Sequence, residues 1–451
     1  MARHLSSRPI LFDMRPGLRA IGVLASFESL FILFLVCGAY KTDPRIALFP
    51  IDLHVLFLTA NFGMGLVIMY REGIYLRGLI VAALLFVFIA WALLTNLWTP
   101  SELYAQEKLL KLATLTLWSI IASAMIIANR PERVRRFLLL LLVFGTAAAI
   151  DGIIQYATTG PLALSASFRL HNYIAQGRFY GIAATVAFAA WLYTDPFSKR
   201  SMALMAVFVV CGYGLLVTGS RGATIGVLAG MLLPLALGLQ FAADRRLLAS
   251  KALVASVVLF LAIAAVLVQV SADFSGNLAT LQRFNIVFTE EEGGQSHRLA
   301  FWRESWHLWL AQPLFGSGIG SWAIRYFNLD VERYPHNLIL EVLVEFGIVG
   351  LLLLTAVVFT AVRGTSVRRL REDPVLMCAA MLCINMFIAA MTSSDLPGNR
   401  NFFAMLGLLV MRPYGQSIHV NIQSRTRDFG PSGRPHPNLR QGVPHARRGR
   451  V

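Results

Sequence analysis

Long apolar runs recur along most of the chain, with short polar segments between them. A helix needs roughly 20 mostly apolar residues to cross the hydrocarbon core of a bilayer. By that measure the pattern predicts about twelve transmembrane helices, the last of them short. The fold class is therefore expected to be all-α, a polytopic integral membrane protein. The predicted spans lie near 18–39, 49–69, 78–98, 109–129, 134–156, 173–193, 202–218, 223–242, 252–270, 338–362, 374–393 and 401–411.

Composition supports this class. Of the 451 residues, 57% are hydrophobic and only 14% are charged, whereas a soluble domain carries roughly 25% charged residues. The mean hydropathy is +0.63. The four cysteines lie inside or at the edges of apolar runs and show no metal-ligand spacing, so they are expected to be core residues. No cofactor is expected.

The loop charges predict the orientation. Of the 40 Lys and Arg residues, 27 fall in segments on one side of the predicted membrane. Cationic loops stay in the cytoplasm, so both termini are expected there and segment 271–337 outside. The net charge of +16 then reflects topology and not a nucleic-acid partner. The cationic side comprises 1–19, 70–77, 129–136, 194–201, 243–251, 363–373 and 412–451.

Two domains are expected. Residues 1–411 would form the membrane domain, and the basic tail 412–451, rich in Pro, Gly and Arg, cannot bury a core and is expected to be disordered. Segment 271–337, between spans nine and ten, is too polar to cross the membrane. It contains a helical pattern over 297–312 with Trp302, Trp306 and Trp309, which predicts a helix lying along the outer interface.

Three polar residues on the outer side are candidates for chemistry. Arg221 lies in a minimal turn between spans seven and eight, Arg298 begins the interfacial helix, and His336 stands between Pro335 and Asn337 at the start of span ten. The guanidinium group has a fork of donors that matches phosphate oxygens. A neutral imidazole can take a proton from a hydroxyl. The residues therefore favour binding of a diphosphate and transfer of the group that it carries.

Each candidate also has a structural interpretation. Arg221 could reach lipid headgroups from a helix end, His336 could be a structural residue, and Asn337 could bond His336 or cap the following helix. The outer loops show no carboxylate pair typical of a metal site. The run Glu290–Glu292 is interpreted as a solvated loop. Arginines in place of a metal ion are thus expected.

Together these motifs resemble the O-antigen ligase and polymerase superfamily of bacterial envelope proteins, most closely over 215–355. The resemblance implies a metal-independent GT-C-like glycosyltransferase of the inner membrane. Such enzymes transfer a glycan from an undecaprenyl diphosphate donor at the periplasmic face, ligases to lipid A-core and polymerases to further repeat units. The motifs are Ser220–Ala223, Arg298 with Phe301 and Trp302, Pro313–Gly318, His336 with Asn337, and Glu345–Gly350.

The resemblance also implies roles for single residues. The family's arginines, thought to hold the diphosphate, correspond to Arg221 and Arg298, and its periplasmic histidine, thought to activate the acceptor, corresponds to His336. The family commonly has one more arginine ahead of span six, a place for which Arg169 and Arg178 compete. Arg400, also on the outer side, could contact sugar or diphosphate.

The sequence leaves several alternatives open. Ligase and polymerase are barely separable, and neither the glycan nor its acceptor is specified. A flippase or other transporter of lipid-linked oligosaccharides is the competing class. A transporter would place more charge at the midplane of its spans, whereas few charges lie within these spans, Glu341 and Glu345 among them.

The topology can be tested by cysteine labelling in a background without native cysteines. We expect Ser275→Cys to react with a membrane-impermeant maleimide in intact, outer-membrane-permeabilised cells, and Ser432→Cys to react only after lysis. Protection of residue 275 together with labelling of residue 432 would invert the orientation.

Overall fold

The computed structural model describes residues 22, 24–40, 51–170, 173–195, 198–237 and 295–413, with side chains for all but 159–170 and 295–297. Within these ranges the chain forms helices and no β-strand. The helices are α1 Phe27–Val36, α2 Leu53–Glu72, α3 Leu76–Thr95, α4 Leu103–Ile127 with two π-helical turns, α5 Pro131–Leu170, α6 Tyr173–Leu192, α7 Lys199–Thr218, α8 Arg221–Ala236, α9 Gln295–Ala311, α10 Ser321–Phe327, α11 Leu338–Val362, α12 Val367–Glu372, α13 Pro374–Ala390 and α14 Arg400–Leu408.

The helices confirm an all-helical, polytopic membrane architecture. Six described helices are long and apolar enough to cross a bilayer, namely α2, α3, α4, α5 over Pro131–Thr158, α7 and α11. A described helix overlaps every predicted span except the ninth, 252–270, which lies outside the described residues. The predicted helix is present as α9, and its position along the outer interface remains a prediction. The count of twelve spans, the GT-C relationship and the disordered tail remain predictions.

Helix α6 lies at the centre of the bundle. It is buried from Gln176 to Leu192 and packs against α5, α7, α8 and α13. Helices that are buried all round occupy the interior of a membrane domain. Its small residues, such as Gly181 and Ala183, let the neighbouring backbones approach closely. The N-terminal end of this central helix is where the candidate site forms.

Helix α11 is broken at Gly347, where φ is +65° and ψ is −163°. An unbroken helix would bond the N–H groups of residues 348 and 349 to the carbonyls of residues 344 and 345. Here these two N–H groups and two carbonyl groups form hydrogen bonds with the loop that follows α9. Its Ser317 and Gly318 N–H groups donate to Val344 O and Glu345 O at 2.8 and 3.0 Å.

The complementary pair of hydrogen bonds runs from α11 to the same loop. Ile348 N–H donates to Pro313 O at 2.9 Å, and Val349 N–H donates to Leu314 O at 3.3 Å. A Cβ at position 347 would come within 2.3 Å of Leu314 O, so only glycine fits there. The motifs Pro313–Gly318 and Glu345–Gly350 thus pair with each other and build the fold.

A buried ion cluster lies one turn from this break. Lys108 Nζ lies 2.5 Å from Glu341 Oε1 and 2.7 Å from Glu345 Oε2, and all three side chains are inaccessible to solvent. The fourth predicted span began at 109 and left Lys108 in a loop. That boundary is wrong, because α4 begins at Leu103 and carries Lys108 into the bundle opposite α11.

The chain that leads to α11 is fixed to α4 by Asp330. Its carboxylate accepts hydrogen bonds from Ser101 Oγ at 2.7 Å and from the N–H groups of Glu102 and Leu103 at 2.9 and 2.8 Å. The two N–H groups lie at the N-terminus of α4, where backbone N–H groups have no intrahelical partner. Asp330 therefore caps a distant helix and positions the segment 330–337.

The ion cluster yields a stability prediction. Lys108→Met should lower the free energy of unfolding by about 3–5 kcal/mol, because it leaves two buried carboxylates without their cation. Lys111→Met is the matched control one turn away, where the partially exposed pair with Glu107 (2.7 Å) is worth about 0–1 kcal/mol. Thermal unfolding of both variants in the same detergent measures the difference. Equal melting temperatures would show that the cluster does not stabilise the fold.

Candidate functional site

The site begins with the predicted tight turn between α7 and α8, which the structure confirms. Gly219 ends α7 in the left-handed conformation, with φ +76°, and its N–H donates to Leu216 O. Ser220 then precedes Arg221, the first residue of α8. The turn places Arg221 beside the N-terminal end of α6 and the C-terminal end of α13, because α8 packs against both helices.

Arg178 projects from the second turn of α6 toward the end of α13. Its side chain is buried, and its Nη2 donates to Ala389 O at 2.8 Å and to Ser393 O at 2.9 Å. The Nε–H is buried and has no hydrogen-bond partner within the described residues. Carbonyl groups, and not a carboxylate, therefore accept the hydrogen bonds of this guanidinium group, while Asp395 interacts with it electrostatically without bonding it.

Arg178, Arg221 and Arg298 line one small pocket, each from a different helix. Thr392 and Ser393, just after α13, complete its polar wall, and none of the described residues that line it is a carboxylate. Its volume of about 30 Å³ holds about two water molecules. Three cations around one opening, without an acid in its lining, make a site for an anion with several oxygens.

His336 lies close to this pocket but does not line it in the described arrangement. Its ring stacks near Phe301 with a centroid separation of 6.4 Å and meets the edge of Tyr334 at 4.7 Å. Its backbone has φ +57°, which is uncommon for a residue other than glycine. Nδ1 is buried without a hydrogen-bond partner in the described chain.

The pKa of His336 is lowered to about 4 from an ordinary value of 6.5. Burial of the ring is the main cause, and the positive charges of Arg298 and Arg333 lower the pKa further. The imidazole is therefore neutral at physiological pH. A neutral ring can accept a proton, which is the form that a general base requires.

The neighbours of His336 fix the segment on which it stands. Asn337 caps α11, because its Oδ1 accepts hydrogen bonds from Ile339 N and Leu340 N at 3.1 Å each. Trp302 on α9 donates from Nε1 to Pro335 O at 3.0 Å. Of the two roles expected for Asn337, the structure shows the cap. The Trp302 bond places the start of α9, with Arg298, beside the histidine segment.

The remaining candidates are placed differently. Arg178 reaches the pocket, whereas the side chain of its competitor Arg169 lies outside the described side chains. Arg400 is not among the pocket-lining residues. It donates to Leu35 O at 3.2 Å and lies 3.0 Å from His54 Nε2, so it joins α14 to α1 and α2.

Sequence reasoning missed Thr392 and Ser393 as part of the site. They immediately precede the polar outer segment that begins at Ser394, so extending that segment by two residues would have found them. It also left Arg178 and Arg169 unresolved. Helical spacing places both arginines near the same membrane boundary, and only the packing of α6 against α13 shows that Arg178 reaches the pocket.

Comparison with known families agrees with this geometry. Residues 206–355 match the family model described as O-antigen ligase. The matched segment includes Arg221, Arg298 and His336, while Arg178 lies before it. A search of curated proteins found no significant match. The resemblance seen in the sequence is confirmed over residues 206–355, which are similar to the O-antigen ligase family.

Proposed function

We propose that the protein is a glycosyltransferase of the ligase type, which transfers a glycan from an undecaprenyl-diphosphate-linked donor to an acceptor at the periplasmic face of the inner membrane. The observation that carries the proposal is the meeting of Arg178, Arg221 and Arg298 around one opening, with no carboxylate among the described residues of its lining. A diphosphate leaving group needs this kind of compensation as negative charge develops on it.

The chemistry assigns one task to each group. A hydroxyl oxygen of the acceptor attacks the anomeric carbon of the donor sugar, and the bond from that carbon to the diphosphate oxygen breaks. Arg221 and Arg298 bind the diphosphate, while His336 takes the proton of the attacking hydroxyl. Because the pocket holds about 30 Å³, the diphosphate would lie across its mouth, with phosphoryl oxygens pointing toward Arg178.

The acceptor separates the two members of the superfamily. A ligase would use lipid A-core, and a polymerase would use a second lipid-linked repeat unit; both would use the same lipid-linked donor. The matching family model is described as O-antigen ligase, which favours lipid A-core here. Metal independence is part of the proposal, since the arginines would supply the positive charge that a metal ion supplies elsewhere.

Purified protein with a labelled lipid-linked donor tests the function. Transfer to lipid A-core should continue in excess EDTA, and Arg221→Lys and Arg298→Lys should each lower the rate about 30- to 1000-fold, because lysine keeps the charge but loses the bidentate fork. Arg325→Lys, on an exposed arginine of α10, is the control and should keep the wild-type rate.

Three outcomes would contradict this proposal. Full activity in both lysine variants at normal expression would exclude bidentate diphosphate binding. Loss of activity in EDTA with recovery in Mg²⁺ or Mn²⁺ would exclude arginine in place of a metal. Label that moves only onto a second lipid-linked repeat would identify a polymerase.

His336 makes a pH prediction that follows from its lowered pKa. A base must be unprotonated, so His336 works above its pKa and fails below it. With a pKa of about 4 in the donor-free protein, kcat/KM for the lipid-linked donor should stay level from about pH 7 to about pH 5, whereas an ordinary histidine would lose about tenfold by about pH 5.5. Arg333→Gln should raise the pKa of His336, so that the fall of kcat/KM in acid begins at a higher pH. Arg325→Gln should leave this pKa unchanged.

The His336→Asn variant separates catalysis from backbone support. Asparagine tolerates positive φ better than most residues, so the variant should fold and bind donor normally. Its transfer rate should fall about 10²- to 10⁴-fold, because the base is gone. A fully active asparagine variant would remove His336 from the mechanism.

A further inference from the structure

A second cationic cavity lies at the opposite end of α3 and α11 from the arginine pocket. It has a volume of about 220 Å³ and is lined by Arg77, Ile80, Thr360, Arg363 and Val410 among others. Arg77 is the second residue of α3, and Arg363 directly follows α11. Both helices qualify as membrane spans, so the cavity lies where the bilayer meets water.

The two lining arginines lack acidic partners. Arg77 and Arg363 are exposed, and neither forms an ion pair among the residues that the structure describes; no carboxylate lines the cavity. The acids nearest along the flanking chain are already engaged, since Glu72 pairs with Arg133 at 2.7 Å and Glu372 pairs with Arg368 at 2.8 Å. The cavity therefore carries positive charge that nothing in its wall neutralises.

Two more arginines, Arg369 and Arg412, lie near the cavity without lining it and add to its positive charge. Arg77, Arg369 and Arg412 all lie close enough to Tyr75 to interact electrostatically with its hydroxyl group. Arg369 donates to the backbone oxygens Gly364 O and Met411 O. Arg412 lies over the Tyr75 ring at 4.7 Å, and its buried Nε has no hydrogen-bond partner in the described chain. Carbonyls and an aromatic face hold these cations, so their charge also persists.

An apolar surface continues from the cavity toward the middle of the membrane. Leu79 and Ile80 on α3 and Phe359 and Val362 on α11 are exposed. A free phosphate ion would gain nothing from such a surface, whereas the acyl chains of a lipid would cover it. Arginines at the water boundary beside exposed apolar helix faces match a phospholipid, with its anionic head in the cavity and its chains beside α3 and α11.

We propose that this cavity binds the phosphate of an anionic membrane lipid. Arg77 and Arg363 bind the phosphate oxygens, and Arg369 and Arg412 contribute longer-range attraction. The charge pattern of the loops assigns this end of the helices to the cytoplasmic side, where anionic headgroups attract basic residues. The site is independent of glycan transfer, which occurs at the other end of the bundle.

Native mass spectrometry of the full-length protein tests the proposal by titration with phosphatidylglycerol or phosphatidylcholine. We expect phosphatidylglycerol to bind more tightly, and Arg77→Gln/Arg363→Gln to weaken it about 30-fold, about fivefold for each arginine. Arg71→Gln/Arg368→Gln removes the same charge from exposed positions outside the cavity and should leave this affinity nearly unchanged. If the double variant does not fold, the single variants Arg77→Gln and Arg363→Gln take its place.

Inorganic phosphate serves as the second arm of the test. It should not displace phosphatidylglycerol at equal concentration, since it lacks the contact with the apolar helix faces. The proposal is overturned if both double variants lose affinity equally, if phosphatidylcholine binds as tightly as phosphatidylglycerol, or if inorganic phosphate displaces the lipid at equal concentration.

Discussion

The exchange of backbone hydrogen bonds at Gly347 is the constraint on which the arrangement of α9 and α11 beside the candidate site depends. A membrane helix that breaks must find partners for its freed N–H and C=O groups, because lipid offers none. The loop Pro313–Gly318 supplies all four. It begins where α9 ends, so this pairing also fixes α9 and, through it, Arg298 and Trp302. The motifs Pro313–Gly318 and Glu345–Gly350 thus affect the site indirectly, because their pairing positions α9.

Buried cationic side chains have different partners in different parts of the structure. The positive charge of Lys108 is compensated by two carboxylates, so Lys108 does not attract an anionic ligand. Arg178 is equally buried but is held by the carbonyls of Ala389 and Ser393. A carbonyl dipole orients a guanidinium group without neutralising it, so Arg178 can still attract an anion. By this criterion Lys108 stabilises the fold, whereas Arg178 can still contribute positive charge to the pocket.

Local patterns in the sequence predicted the parts of the structure that local physics determines. The length of the apolar runs predicted the long helices, and the glycine before Arg221 predicted the turn there. The spacing of the tryptophans predicted α9. The partners of Lys108 were not predictable in this way, because Glu341 and Glu345 are more than 200 residues away and no periodicity links α4 to α11. The same holds for Arg178, whose role depends on the carbonyls at the end of α13, and for the pairing of two motifs through backbone atoms alone.

The lowered pKa of His336 connects the base to the donor site. A pKa of about 4 keeps the ring neutral but makes it a weak base, since a general base works best with a pKa near the working pH. Two of the causes are the positive charges of Arg298 and Arg333. On the proposed function, a diphosphate bound to Arg298 would offset that charge and raise the pKa of the imidazole toward neutrality. The histidine would then become an effective base only when the leaving group is in place, which would disfavour deprotonation of an acceptor in the absence of donor.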